Sequence, residues 1–158
     1  MGVIYFWRVI VKVTIGSDHG GFNLKEEIKS LLEEMKIEYN DVGTYQAEAI
    51  DYPEVSGKVA KSILQGEADK GIIVCGTGIG VSIAANKFKG IRAALCNDVF
   101  SAQMAAEHNN ANIITLGERV VGAGLAKMIV KTWLTTEFAG GRHERRVNQI
   151  TALEKNLD

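Results

Sequence analysis

Gly71-Ile72-Ile73-Val74-Cys75-Gly76-Thr77-Gly78-Ile79-Gly80 is the stretch on which the fold turns. Its first half is apolar at odd and even positions alike, so an extended chain there has to be buried on both faces. Its second half places three glycines in five residues, which end the strand and let the backbone approach a ligand closely. Helical spacing resumes from Val81 to Lys87. A doubly buried strand followed directly by a helix is the building unit of a parallel sheet covered on both sides.

Outward from this stretch the unit repeats. Val9 to Ile15 is a β-branched run broken by Gly16-Ser17-Asp18-His19-Gly20-Gly21, after which Phe22, Leu24, Ile28, Leu31, Leu32 and Met35 follow at mostly helical spacing. Ile37 to Val42 reads as a second strand. Tyr52 to Leu64 reads as a helix with the single proline, Pro53, near its first turn, where a missing N–H costs nothing. Ile91 to Leu95 and Ile113 to Leu116 read as strands four and five, and Phe100 to Glu107 and Val120 to Leu134 as helices. The pattern predicts an α/β fold: one doubly wound, Rossmann-like domain on a five-stranded parallel sheet. Gly140 to Arg146 then opens an extra C-terminal helix carrying Val147, Ile150, Leu153 and Leu157. With no strand left to return to, that helix is expected to pack on a partner subunit.

The chain has 158 residues, Lys+Arg 18 against Asp+Glu 19, and a hydrophobic share of 46%. That is one ordinary domain with enough core to need no disulfide staples. A formal net charge of -1 excludes an electrostatic footprint for nucleic acid or an anionic membrane. Cys75 and Cys96 form no C-x-x-C pair and no secretory signal is read, so a reducing cytoplasmic compartment is expected. Met1 to Ile15 is apolar but interrupted by Arg8 and Lys12, and falls short of the ~20 residues a spanning helix needs.

In open α/β sheets ligands bind beyond the carboxyl ends of the strands. The polar residues there are Ser17, Asp18 and His19; Asp41 and Thr44; Cys75 to Gly80; Asn97 and Asp98; and Gly117, Glu118 and Arg119. The Gly76-Thr77-Gly78-Ile79-Gly80 turn offers free N–H groups at a helix start, or simply packs a helix on the sheet. It lacks the G-x-G-x-x-G spacing of a dinucleotide site. Cys75 is either inert core or a thiol activated by that helix start; Cys96 reads as core. Among the three histidines, His19, His108 and His143, none falls on a predicted apolar face, and no metal-ligand spacing supports zinc. Arg142 and Arg146 are four apart, so a helix would project both from one face toward a phosphate, unless the cluster is only a solvated helix start paired with Glu144.

Taken together, G-S-D-H-G-G at 16–21, D-Y-P at 51–53, C-G-T-G-I-G at 75–80, S-I-A-A-N-K at 82–87, H-N at 108–109, G-E-R-V-V-G at 117–122 and G-G-R-H-E-R-R at 140–146 are highly specific. From about Val11 onward the chain resembles type B ribose-5-phosphate isomerases, of the family that also includes galactose-6-phosphate isomerase subunits. Residues 1–9 precede the family pattern as an N-terminal extension, leaving 10–158 as the isomerase domain.

The resemblance implies interconversion of D-ribose 5-phosphate and D-ribulose 5-phosphate through an enediolate, with no metal or organic cofactor. It implies Cys75 as the base between C2 and C1, His108 with Asp18 in ring opening, and Thr77 in proton handling. The N–H groups of Gly76, Thr77, Gly78, Ile79 and Gly80 would stabilise the enediolate oxygen. His19, Arg119, Arg142 and Arg146 would hold the phosphate, with Asn109 on a sugar hydroxyl. Some members use a Glu just beyond the glycine run; here Val81 and Ser82 stand there, leaving Cys75. The family also implies a homodimer or tetramer with active sites at the subunit boundary. The alternatives are the same chemistry on allose 6-phosphate or galactose 6-phosphate, or a nucleotide-binding module without catalysis.

Overall fold

The computed structural model describes residues 11–46 and 48–155. In chain order they form β1 (Lys12–Ser17), a 3-10 turn (His19–Gly21), α1 (Phe22–Glu34), β2 (Glu38–Asp41), α2 (Tyr52–Leu64) and β3 (Lys70–Cys75). There follow α3 (Ile79–Ala85), β4 (Ala93–Leu95), α4 (Val99–Glu107), β5 (Ile113–Gly117), α5 (Ala123–Thr135) and α6 (Arg142–Leu153). All strand pairs are parallel, in the order β2-β1-β3-β5-β4.

β3 is buried on both sides, as its composition requires. Ile72 and Val74 join Val13, Ile15, Leu116 and the inner faces of α1, α4 and α5, where Trp133 is fully enclosed. Ile73 and Cys75 join Val55, Val59, Val81 and Ala85 of α2 and α3 on the other face. Each fully buried aliphatic side chain of this kind contributes roughly 1.5–3 kcal/mol. Because β1 feeds α1 on one face while β3 feeds α3 on the other, the two loops part beyond the sheet, which is where this architecture places a crevice.

Several boundaries differ from the sequence reading. β1 continues to Ser17, and its expected start at Val9 lies outside the described residues, as do residues 1–9 and Leu157. β2 is an edge strand with Glu38 and Asn40 exposed, so it lacks the uniform apolarity of the inner strands. α3 begins at Ile79 and ends at Ala85, displaced from Val81 to Lys87. β4 begins at Ala93 because Ile91 is drawn into a turn by its N–H bond to Phe88 O. α5 begins at Ala123 rather than Val120 because the N–H groups of Val120 and Val121 both bond Gly117 O, closing a tight turn first. α6 rests on the domain through buried His143 and Val147 and through Glu154, whose Oε1 accepts the Gly90 N–H at 2.9 Å; Ile150 and Leu153 stay exposed.

Candidate active site

The carboxyl ends of β1, β3 and β5 meet backbone to backbone. A Cβ on Gly117 would lie 2.5 Å from Thr77 C, so only glycine allows the loop after β3 to cross β5. Gly78 has φ +78 and could carry no side chain either, since a Cβ would reach Leu95 Cδ1 at 2.6 Å; its carbonyl accepts the buried Thr115 hydroxyl at 2.9 Å. The result is a fixed main-chain cradle. Cys75, 5% exposed, ends β3 at its base, and its Sγ accepts the Gly78 N–H at 3.0 Å. Thr77 Oγ1 accepts the Ile79 N–H at 3.2 Å. Two of the N–H groups expected to face an enediolate are thus turned onto the neighbouring thiol and hydroxyl.

Around the cradle stand the other residues of this edge. Asp18 is buried and its Oδ1 accepts the Gly20 N–H at 2.9 Å, which shapes the turn that presents exposed His19. Arg119 is exposed and its guanidinium lies over Gly76, where a Cβ would come within 3.3 Å of Nη1. Its backbone N–H bonds Gly76 O at 3.0 Å. Asp18, His19, Cys75 to Gly80 and Arg119 therefore form one group.

His108, Asn109, Arg142 and Arg146 form a second group elsewhere. α4 starts beside the carboxyl end of β4 and runs back against the strands, so His108, its C-terminal cap, sits at the amino edge of the sheet. Its nine residues span about 13 Å at ~1.5 Å each. The start of α6 is tied to the same edge: Ala139 N–H bonds Glu107 O at 3.0 Å, and the His108 and His143 rings stack. Arg142 and Arg146 are both exposed there. Among the described residues, no hydrogen bond, ion pair or ring contact joins this group to the first.

His143 corrects the expectation that no histidine lies on a packed face: it is only 8% exposed. Burial, then His108 and the Arg142 and Arg146 guanidiniums, holds its pKa below the ordinary histidine value. The Arg142 Nε–H points at its Nε2 at 3.4 Å. Cys96 is core, as read: burial, then Asp98, pushes its thiol up to about 11.

Sequence reasoning missed three supports. Lys25 is fully buried, with Nζ donating to both Asp41 oxygens at 2.8 Å and to Thr44 O at 2.6 Å. Lys29 adds a 2.9 Å ion pair to Asp41. Burial raises the Asp41 carboxyl, but the bonds from Lys25, Gly43 N–H and Lys29 outweigh it and leave the pKa lowered. Lys25 falls on the same helical stripe as Ile28 and Leu32, a pattern that calls for a buried acidic partner. Arg92 Nε and Nη2 donate to the Asn109 and Asn110 carbonyls, holding the loop after His108. Glu118, singled out only as a polar residue beyond β5, reaches across to the Leu24 N–H of α1, a contact with no local sequence signal.

The fold and the polar groups at its strand ends define an α/β domain with a candidate small-ligand site at the carboxyl edge of its sheet. The chain matches the family described as Ribose/Galactose Isomerase over residues 13–150. It is 51% identical to ribose-5-phosphate isomerase B of Escherichia coli over 144 residues, covering 91% of this chain and 97% of that one. The solved structure of Clostridium thermocellum ribose-5-phosphate isomerase B has 54% identity and a TM-score of 0.91, covering 93% of this chain and 99% of that one. A Mycoplasma genitalium ribose-5-phosphate isomerase B, solved with bound ribulose-5-phosphate, has 39% identity and a TM-score of 0.87, covering 91% and 96%. The chain belongs to the ribose/galactose isomerase family and is a sugar-phosphate isomerase by descent.

Proposed function

We propose that this chain interconverts D-ribose 5-phosphate and D-ribulose 5-phosphate. The observation that carries the reading is Cys75: a buried thiol at the base of a main-chain cradle, with the Gly78 N–H directed at its sulfur. That is the arrangement a base needs when it takes a proton from a carbon next to a carbonyl.

The sugar enters as a closed furanose. His108, with Asp18, opens it by moving a proton to the ring oxygen, giving the free aldehyde. Cys75 removes the C2 proton, the electrons pass to the carbonyl oxygen, and an enediolate forms; the main-chain N–H groups of the 76–80 turn other than those of Gly78 and Ile79, which bond Cys75 and Thr77, stabilise that oxygen. Thr77 moves the hydroxyl proton between the two oxygens, and Cys75 returns its proton to C1. His19, Arg119, Arg142 and Arg146 grip the phosphate, and Asn109 a hydroxyl. Their remote binding energy fixes the reacting carbons.

These residues occupy opposite edges of one sheet, so a complete site combines the carboxyl-edge group of one copy with the amino-edge group of another. The working unit is a homodimer or a tetramer, formed by residues 10–158, with 1–9 as an extension outside it. A reducing cytoplasmic setting keeps Cys75 a thiol; both cysteines are free in the fold. Among the described residues no helix is long and apolar enough to cross a membrane.

The test is turnover of ribose 5-phosphate, allose 6-phosphate and galactose 6-phosphate by the purified chain alone. Ribose 5-phosphate should give the highest kcat/KM. Inactivity on it alongside turnover of a six-carbon substrate would overturn the assignment. Retention of a dinucleotide with no turnover of any of the three would point instead to a binding module.

A further inference from the structure

Glu118 precedes Arg119 and sits where three segments of the carboxyl edge converge. Its own N–H donates to Cys75 O at 2.9 Å. Its Oε2 accepts the Leu24 N–H at 2.9 Å and its Oε1 accepts from Asn23 Nδ2 at 3.2 Å, across 94 and 95 positions of sequence. The start of α1 has no cap of its own, because Gly21 supplies no side chain, and the distant carboxylate satisfies that N–H instead. One residue thereby ties the loop bearing Arg119, the strand bearing Cys75 and the helix that follows His19.

The charge of Glu118 is otherwise out of place. Glu26 and Glu27 line the same 340 Å³ cleft but are each ion-paired, to Lys29 at 3.0 Å and to Lys127 at 2.9 Å, so the charge that stands behind the group meant to receive a phosphate dianion is that of Glu118 itself. On electrostatics alone it would weaken phosphate binding, and its value lies in what it holds. We infer that Glu118 is a positioning residue that sets the spacing between His19 and Arg119, the two carboxyl-edge arms of the phosphate grip. This rests on the sugar-phosphate reading above.

The experiment measures KM and kcat for ribose 5-phosphate, and competitive inhibition by inorganic phosphate, for the unaltered protein, Glu118→Gln, Glu118→Ala and Glu118→Asp. Glu118→Gln keeps an acceptor for the Leu24 N–H and should bind phosphate as well as the parent or better. Glu118→Ala should weaken phosphate and raise KM about tenfold with kcat nearly kept, roughly the effect of losing one charge-assisted hydrogen bond. Glu118→Asp, one methylene short, should shift the same way and serves if the alanine variant does not fold. If the alanine and aspartate variants unfold more easily yet bind phosphate normally, Glu118 is only a structural cap and the inference fails. It fails equally if Glu118→Gln and Glu118→Ala tighten phosphate alike, since charge alone would then decide. An unaltered protein that neither isomerises ribose 5-phosphate nor binds phosphate would overturn the parent reading instead.

Discussion

The rings of His108 and His143 stack with centroids 4.0 Å apart and planes 6° from parallel. One cap of α4 and one buried residue of α6 thus meet face to face. His143 has its pKa lowered by burial and by His108, Arg142 and Arg146, partly offset by Glu107. The folded state therefore binds fewer protons at His143 than the unfolded chain does. Its stability is full above the ordinary value of 6.5 and declines as pH falls toward the lower folded value. Urea unfolding from pH 7 to 5 should show that decline, and His143→Phe, which keeps a ring in the stack without titrating, should flatten it. An unchanged slope in the variant would refute the linkage.

Division of the polar residues between two sheet edges predicts complementation. Cys75→Ala and His108→Asn should each be nearly inactive, with losses of about 10²–10⁴ in kcat for removal of a proton-transfer group. Mixed and allowed to exchange subunits, they should recover about one quarter of parental activity, because half the dimers are hybrids with one intact site in two. Cys75→Ala should also stop exchange of the C2 proton with deuterated water while still binding the sugar phosphate. Full activity from isolated monomers would contradict the arrangement.

Lys25→Met leaves the Asp41 carboxylate with Lys29 as its remaining side-chain partner and should destabilise the fold by about 3–5 kcal/mol, read from the urea midpoint. The lowered pKa of Asp41 stabilises the parent above the ordinary value of 3.8, and this is lost as pH falls through the folded value. Acid unfolding below about pH 4 should accordingly be less steep in the variant.

Ser17 offers the opposite case. Its hydroxyl is wholly buried at the end of β1 and makes no hydrogen bond among the described residues. Ser17→Ala removes an unsatisfied polar group and should leave the protein as stable or more so, by about 1 kcal/mol. A clear loss of stability would show that the oxygen has a partner.

Much of this fold was legible in local pattern. The doubly apolar β3 announced a covered parallel sheet, and Tyr52 to Leu64 was read to the residue because Pro53 and the end of the apolar spacing mark both limits. Element ends decided by turns were not legible: the start of α5 depends on two N–H groups sharing Gly117 O, a contact that propensity does not encode. The site divides in the same way. Cys75, the glycine turn and the arginines stand in short motifs, whereas Glu118 with Leu24 and Lys25 with Asp41 are pairings that exist only once the chain has folded. Strand order, and with it the placing of His108 at the far edge, likewise follows from topology rather than from any one segment.

The cradle at the carboxyl edge is built from main chain, with Gly117 pressed on Thr77 and Gly21 on Val74, each too close for a Cβ. Amide and carbonyl groups are common to all residues, so point mutation can destroy such a surface but scarcely retune it. Substitutions that alter sugar preference are therefore expected among the side chains that rim the cradle. The main-chain surface is the fixed part of this edge, and the side chains around it are the part that substitution can alter.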